Sequence, residues 1–205
     1  MRRQAGNNGF GVPLSFNSVE QLDVIKGAPP VLFGSSQRNG GFVNLQSKRA
    51  STQESAAKVK FTAGRWDQYS AQLDISAPIV KGESGFRISA EHIDNGSFYD
   101  HSSFESDSLY AAFRFLPDDK STWDINFEFY QVEFTDNAGI NRPTQALIDN
   151  GLYITGQGVQ PNGSLIPGAG AIISPTGQVK ISRSTVLTDP DNANEAETFL
   201  LHSIY

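Results

Sequence analysis

The stretch "YSAQLDISAPI", residues 69–79, carries the clearest alternation of apolar and polar side chains in the sequence. Successive side chains of a β-strand point to opposite faces, so this pattern predicts a strand with one apolar and one polar face. The apolar row comprises Tyr69, Ala71, Leu73, Ile75, Ala77 and Ile79, and the polar row comprises Ser70, Gln72, Asp74, Ser76 and Pro78.

Segments on both sides of this stretch alternate with the same period. They are residues 58–64, 86–91, 109–115 and 123–130, and a run at 198–205 begins a further strand. The turns at 64–68, 80–84 and 117–121 are short, whereas the connections at 95–106 and about 136–196 are long. Because short turns join antiparallel neighbours, we predict a mainly β chain of five strands and the start of a sixth.

Two short helical signals interrupt this pattern. Within the long connection, "TQALIDNG" offers Thr144 as the N-terminal cap and Gly151 as the residue that ends the helix. Near the N-terminus, Ser18 with Gln21 three positions later resembles a capping box. We therefore expect one helical turn there, followed by a short strand over residues 22–25.

Two kinds of antiparallel sheet share the period of these strands. A soluble sheet buries its apolar row, and on alternation alone this commoner kind is favoured. In an outer-membrane barrel the apolar row faces lipid, the polar row faces the lumen, and strands of about 9–11 residues are joined by short turns on one side and long loops on the other. Aromatic residues that suit the girdles of a barrel are Trp66, Tyr69, Phe86, Phe115, Trp123 and Phe134.

The composition excludes several classes of function. The 205 residues carry a net charge of -6, which argues against a nucleic-acid-binding protein, and the absence of cysteine excludes disulfides and thiolate metal sites. No apolar run is long enough for a transmembrane helix, and no apolar secretory core follows the N-terminus. His92, His101 and His202 lack metal-ligand spacing, and neither a nucleophile elbow nor a phosphate-binding loop is present. We expect no enzyme, no catalytic residue, no metal site and no cofactor.

Residues 18–50, "SVEQLDVIKGAPPVLFGSSQRNGGFVNLQSKRA", decide between the two kinds of sheet. Their order and spacing closely resemble the plug domain of TonB-dependent outer-membrane receptors, particularly the siderophore receptors. The matching residues are Val19, Glu20, Leu22, Asp23, Val24, Lys26, Gly27, Leu32, Phe33, Gly34, Gly40, Gly41, Val43, Asn44, Ser47, Lys48 and Arg49. Ala28 departs from a common proline, and Phe33 departs from a commoner tyrosine whose hydroxyl could contact a ligand.

The resemblance implies a division of the chain into two parts. Residues 1–51 correspond to the C-terminal part of the plug, and residues 52–205 to the first five to six strands of a transmembrane β-barrel that has 22 strands in the family. The loop at about 136–196 is then extracellular. The signal segment, the energy-coupling segment and the first half of the plug are expected in a longer receptor, of which this sequence is a fragment.

The resemblance also implies a function and its site. A receptor in the outer membrane of a Gram-negative type bacterium would import a ferric siderophore. The TonB complex would be its energy-coupling partner and would act through the missing N-terminal segment. Membrane lipid would surround the strands. The plug-loop tip, Phe33, Ser35, Ser36, Gln37, Arg38 and Asn39, would face the ligand. Lys26, Lys48 and Arg49 would form ion pairs with barrel carboxylates, which we expect on later strands. The alternatives are a receptor for a glycan, cobalamin or haem, and a soluble secreted β-sandwich that binds carbohydrate.

Overall fold

The computed structural model describes residues 13–27, 41–135, 144–155, 177–186 and 193–204. Within these ranges the fold is almost entirely β, as predicted, and its strands form three separate sheets. In chain order the elements are β1 Val19–Lys26, β2 Gly41–Ser47, β3 Ala56–Gly64, β4 Gln68–Val80, β5 Ser84–Asn95, β6 Phe104–Asp118, β7 Ser121–Thr135, α1 Gln145–Asn150, β8 Leu152–Thr155, β9 Gly177–Lys180 and β10 Ala193–Ile204.

The principal sheet contains six strands in the order β10-β7-β6-β5-β4-β3. Strands β3 to β7 pair as antiparallel neighbours, and the register carries one row across them from Lys58 through Asp74, Ser89 and Tyr110 to Glu128. Beside the edge strand β10, the indole of Trp123 on β7 donates to the hydroxyl of Ser203 on β10 over 2.9 Å. Strand β10 is the sixth strand that the sequence predicted to begin near residue 198.

The two faces of this sheet differ in exposure. On the outer face, the apolar rows are open: Phe61 is 79% exposed and Leu109 is 40% exposed. On the inner face, the opposite rows are covered, and Ser89, Tyr110 and Val132 are each at most 1% exposed. A β-sandwich would bury the apolar rows, so the soluble alternative disagrees with the described residues.

The inner face is covered by the N-terminal segment, by which we mean residues 13–27 and 41–51. Strands β1 and β2 of this segment form an antiparallel pair in which Leu22 lies opposite Leu45 and Val24 opposite Val43. The predicted helical turn after Ser18 is wrong, because the chain is already extended from Val19. Cross-strand pairing with β2 and the β-branched residues of β1 prevail over the local capping signal.

The long connection forms a second unit, together with residues 97–102. Its helix α1 begins after Thr144, whose hydroxyl accepts from the amide of Leu147, and ends at Gly151 with φ 69°, which confirms that prediction. Strands β8 and β9 pair antiparallel in the same unit. Among the described residues, no helix is long and apolar enough to span a membrane.

One girdle residue of the prediction lies on the wrong face. Trp66, Tyr69 and Trp123 are each about half exposed near strand ends, which fits the expectation. Phe134, however, shares the alternation of Tyr130 and Val132 on β7 and is paired with Phe104. Its side chain therefore belongs to the inner row, because the strand keeps its period to its last residues.

Candidate functional site

A buried ion pair joins the N-terminal segment to the inner face of the sheet. The ammonium of Lys48 lies 2.6 Å from Oδ2 of Asp74 on β4, and the two side chains are only 8% and 13% exposed. Lys48 also donates to the hydroxyl of Ser89 over 2.8 Å. A buried charge is tolerated only when it is paired and hydrogen-bonded, and this ammonium has both kinds of partner.

Arg87 on β5 extends the pair into a chain of charges. Its guanidinium grips Asp74 through two hydrogen bonds of 2.8 and 2.9 Å and reaches Glu20 on β1 at 2.6 Å. Such a two-pronged contact fixes both side chains more firmly than a single bond. The principal sheet is called the wall from here on. Asp74 is thus shared by Lys48 of the N-terminal segment and Arg87 of the wall, while Glu20 gives Arg87 a second contact with the segment.

The alternation of the strands explains why these groups meet. Asp74 and Arg87 both lie on the polar rows of their strands, and the register places Asp74 opposite Ser89, so that Arg87 is its diagonal neighbour. Lys48 directly follows β2, where its amide donates to the carbonyl of Ser18 over 2.9 Å. This backbone bond holds the end of β2 beside the start of β1, from which Lys48 reaches the wall.

Asn17 forms a second, uncharged anchor. It is 1% exposed, and its amide donates to the carbonyl of Ser89 over 2.9 Å and to that of Ser108 over 3.4 Å. Its carbonyl accepts from the hydroxyl of Ser89 over 2.6 Å and from Gln72 over 3.3 Å. One side chain in a turn thereby binds three strands of the wall.

The exit of the N-terminal segment is held mainly through its backbone. The hydroxyl of Tyr110 donates to the carbonyl of Lys48 over 2.6 Å. The amide of Ser51 donates to the hydroxyl of Ser76 over 3.0 Å, and the carbonyl of Thr52 accepts from Gly82 over 2.8 Å. Beside them the carbonyl of Ser51 lies so close to Gly85 that a Cβ at this glycine would collide with it.

Other charged groups stabilise the wall or the hairpin individually. Arg114 and Asp124, directly opposite on β6 and β7, form two hydrogen bonds of 2.7 Å each. In the β1–β2 hairpin, the carboxylate of Asp23 accepts from Gln21, Gln46 and Asn44, and these hydrogen bonds lower its pKa below the ordinary aspartate value. Arg114, Asp124 and Asp23 are thus each held by hydrogen bonds within the sheet or hairpin to which they belong.

The structure separates the predicted site residues into three groups. Lys48 is drawn into the interface, but its carboxylate partner is Asp74 on an early strand, not a residue on a later one as we expected. Lys26 and Arg49 expose their side chains, and neither makes an ion pair with another described residue; the carbonyl of Arg49 accepts from Arg87 over 3.4 Å. Phe33, Ser35, Ser36, Gln37, Arg38 and Asn39 lie outside the described residues.

Sequence reasoning missed two residues that matter in this interface. Asn17 lies in a turn without periodicity, and nothing in its neighbourhood predicts a buried amide. Tyr110 lies in the polar row of its strand, where a bulky phenol with a single hydroxyl favours one long-range hydrogen bond. The alternation itself contained that signal.

Known proteins share both the sequence and the strand arrangement of this chain. No protein-family model matches it. The ferripyoverdine receptor of Pseudomonas aeruginosa is 33% identical over 97 residues, which are 47% of this chain and 12% of that receptor. The metal-pseudopaline receptor CntO of the same species is 29% identical over 98 residues, which are 47% of this chain and 14% of that receptor.

Solved structures give the same result. The crystal structure of the ferripyoverdine receptor of the outer membrane of Pseudomonas aeruginosa, bound to ferripyoverdine, matches with 26% identity and a TM-score of 0.53, covering 58% of this chain and 16% of the receptor. The pyoverdine outer membrane receptor FpvA, bound to pyoverdine, matches with 25% identity and a TM-score of 0.57, covering 62% and 19%.

These matches confirm the predicted resemblance to the TonB-dependent siderophore receptors and, with it, the mainly β fold and the outer-membrane location. The relatives are named as receptors and not as enzymes. The chain spans less than a fifth of the length of each of these relatives.

Proposed function

We propose that this chain forms the end of the plug and the first strands of an outer-membrane receptor that imports a ferric siderophore. Residues 1–51 are the plug part and residues 52–205 the barrel part. The observation that supports the proposal most directly is the difference between the two faces of the sheet. The N-terminal segment covers the polar inner face, while the apolar outer face of the same strands is exposed. This is the arrangement that a plugged barrel in lipid requires.

The proposed ligand contact is the tip of the plug loop, Phe33, Ser35, Ser36, Gln37, Arg38 and Asn39. A ferric siderophore is commonly anionic and rich in oxygen, so a guanidinium with amide and hydroxyl donors beside it suits such a complex. The relatives support iron or metal chelates as the ligand class, since two are named for ferripyoverdine and for metal-pseudopaline. The chelate's own atoms hold the metal, so the receptor needs no cofactor.

The proposed moving contact is the chain of charges through Asp74. Import requires the plug to yield within the lumen, and an ion pair between Lys48 and a wall carboxylate can break and re-form without covalent change. We assign the same role to Lys26 and Arg49, with partners on other strands of the receptor. The TonB complex, acting through an N-terminal coupling segment, supplies the energy, and membrane lipid surrounds the outer face.

Binding of a labelled chelate tests this proposal. The receptor that carries this chain is expressed in cells lacking their own siderophore receptors, and uptake of radioactive iron is measured with ferripyoverdine and with metal-pseudopaline as probes. Arg38→Ala removes one charge-assisted hydrogen bond, worth about 1.5–3 kcal/mol, so the dissociation constant rises at least about tenfold. Arg65→Ala, which removes an equal charge from the β3–β4 turn, leaves affinity unchanged.

Two results would contradict the proposal. In the first, neither chelate binds or enters the cell, while haem, cobalamin or a glycan competes for the receptor. In the second, the Arg38→Ala and Arg65→Ala variants lose affinity equally, which would remove the plug tip from the ligand site.

A further inference from the structure

The outer face of the sheet changes character near one end. Outward side chains are apolar from Ala90 to Phe86 on β5 and from Leu109 to Phe115 on β6. One step further the same rows become polar, with His92 opposite Asp107 and then Asp94 opposite Glu105. Both long connections leave from this end, together with the short β3–β4 turn, whereas the turns 81–83 and 119–120 leave from the other. Because long loops mark the outer side of a membrane barrel, we take this end as the extracellular one.

A groove runs along the apolar part directly below this boundary. It has a volume of roughly 630 Å³ and is lined by Phe61, Ala71, Leu73, Ala90, Leu109 and Phe129, with His92 and Asp107 at its polar end. Small alanine side chains between larger neighbours leave the depression. Its lining is of the kind that accepts a hydrocarbon chain, and the outer-membrane location supplies one.

The polar end of the groove holds a set of cation ligands. Nδ1 of His92 lies 2.9 Å from Oδ1 of Asp107, and the ligand atoms of His92, Glu105 and Asp107 all lie within 4.8 Å of one another. An imidazole with two carboxylates is a donor set that suits divalent cations. All three residues are exposed, so a ligand can reach them from outside.

Charge makes this end of the groove selective for one kind of lipid contact. A phosphate headgroup beside Asp107, Glu105 and the neighbouring Asp94 and Glu133 would face like charge, which is unfavourable. A divalent cation between the carboxylates and the phosphate reverses that repulsion, because it is attracted to both. The groove and the cation ligands are contiguous, so one amphiphile can occupy both.

We propose that this groove binds an anionic, phosphate-bearing lipid of the outer leaflet, with its acyl chain on Ala71 and Ala90 and its phosphate bridged by a divalent cation to His92, Glu105 and Asp107. The inference rests on the proposed outer-membrane function, since it needs the outer face to meet lipid. It adds a defined lipid site to a surface that would otherwise only contact bulk membrane.

Native mass spectrometry of the whole receptor, released from membranes in detergent, tests the site. Phosphatidylglycerol or phosphatidylcholine is added with calcium or with a chelator, and bound lipid is counted. We expect calcium to raise retention of phosphatidylglycerol at least about tenfold, and phosphatidylcholine to show no calcium effect. Asp107→Asn abolishes the calcium effect. Glu133→Gln removes an equal charge from the neighbouring strand β7 and leaves the calcium effect unchanged. Ala90→Phe fills the groove and lowers retention of phosphatidylglycerol even with calcium.

The site is refuted if Asp107→Asn and Glu133→Gln behave alike, or if calcium acts equally on both lipids. Binding of ferripyoverdine is measured on the same preparations. Loss of the lipid effect with intact chelate binding rejects the lipid site alone. A receptor that never enters the membrane fraction rejects the outer-membrane function and the lipid site together.

Discussion

The ammonium of Lys48 lies 2.6 Å from the carboxylate of Asp74, and this pair fixes the end of β2 against the second strand of the principal sheet. Arg87 grips the same carboxylate from β5 and reaches back to Glu20 on β1. The N-terminal segment is therefore attached to the wall through a carboxylate that two cations share.

Removal of that carboxylate should release the segment locally. Asp74→Asn keeps the shape of the side chain but leaves Lys48 and Arg87 without their shared anion, which for a buried pair costs about 3–5 kcal/mol. We expect amide hydrogen exchange in residues 44–50 to accelerate at least about a hundredfold. The measurement is exchange followed by mass spectrometry.

An exposed aspartate provides the matched control for this change. Asp94→Asn, on the outer face, should alter exchange in residues 44–50 little, since exposed substitutions usually act within about 0.5 kcal/mol. In the double variant Lys48→Met with Asp74→Asn, part of the lost protection should return, because the stranded ammonium is gone. Equal exchange in Asp74→Asn and Asp94→Asn would show that the ion pair does not hold the segment.

Asn17 should be the most sensitive uncharged position of the interface. Asn17→Ala leaves the buried carbonyls of Ser89 and Ser108 without this donor, at a cost of about 1–3 kcal/mol. Asn17→Asp should be worse, since a carboxylate would face both carbonyl oxygens. Protease susceptibility of the N-terminal segment reports the loss. The neighbouring Phe16→Ala is the control, as Phe16 is 56% exposed, and equal susceptibility in both variants would contradict the anchor.

Gly85 should tolerate no side chain. In Gly85→Ala the new Cβ would meet the carbonyl of Ser51, so the linker would have to move away from the β4–β5 hairpin. We expect faster exchange at Ser51 and at Gly82, whose amide donates to Thr52. Gly82→Asn is the control, because asparagine tolerates the positive φ of 83° and only the end of Gln53 lies nearby. An unchanged exchange pattern in Gly85→Ala would show that the contact is dispensable.

A cation on the outer face should be costly only where the face meets hydrocarbon. Ile88→Arg, in the middle of the apolar rows, should destabilise the receptor folded in a bilayer by about 2–4 kcal/mol, and Gln131→Arg, at the polar end of the outer face on β7, by about 0–1 kcal/mol. Both positions point outward. The measurement is denaturant titration of the whole receptor in lipid vesicles, and equal costs at the two depths would argue against a membrane-facing surface.

Much of the fold was predictable because apolar and polar side chains alternate along a strand whose two faces lie in different environments. Leu73 and Leu109 alternate with Asp74 and Tyr110, and the structure exposes the leucines and covers the polar partners. Thr144 and Gly151 likewise encode their helix locally, through a cap and a left-handed stop. Local sequence was sufficient wherever the deciding interaction was itself local.

The predictions failed where the deciding contacts join residues that are far apart in the sequence. Ser18 and Gln21 give a helical signal that pairing with β2 overrides, and the partner of Gln21 on β2 is Gln46, 25 positions along the chain. The partner of Lys48 is a carboxylate 26 positions along the chain, and Asn17 binds residues 72 and 91 positions away. A sequence pattern shows that such groups are polar, but only the three-dimensional fold selects their partners.

The division of the sheet into a lipid face and a plug face is tested most directly with spin labels on cysteines introduced into this cysteine-free chain. Labels are placed at Leu73 and Leu109 on the outer face and at Ser89 and Ser108 on the inner face, in the whole receptor in bilayers. Collisions with oxygen, which concentrates in lipid, and with a water-soluble nickel complex are measured. High oxygen but low nickel accessibility at Leu73 and Leu109, with little of either at Ser89 and Ser108, is the predicted result. Labels at Leu73 and Leu109 that collide mainly with the nickel complex would contradict it.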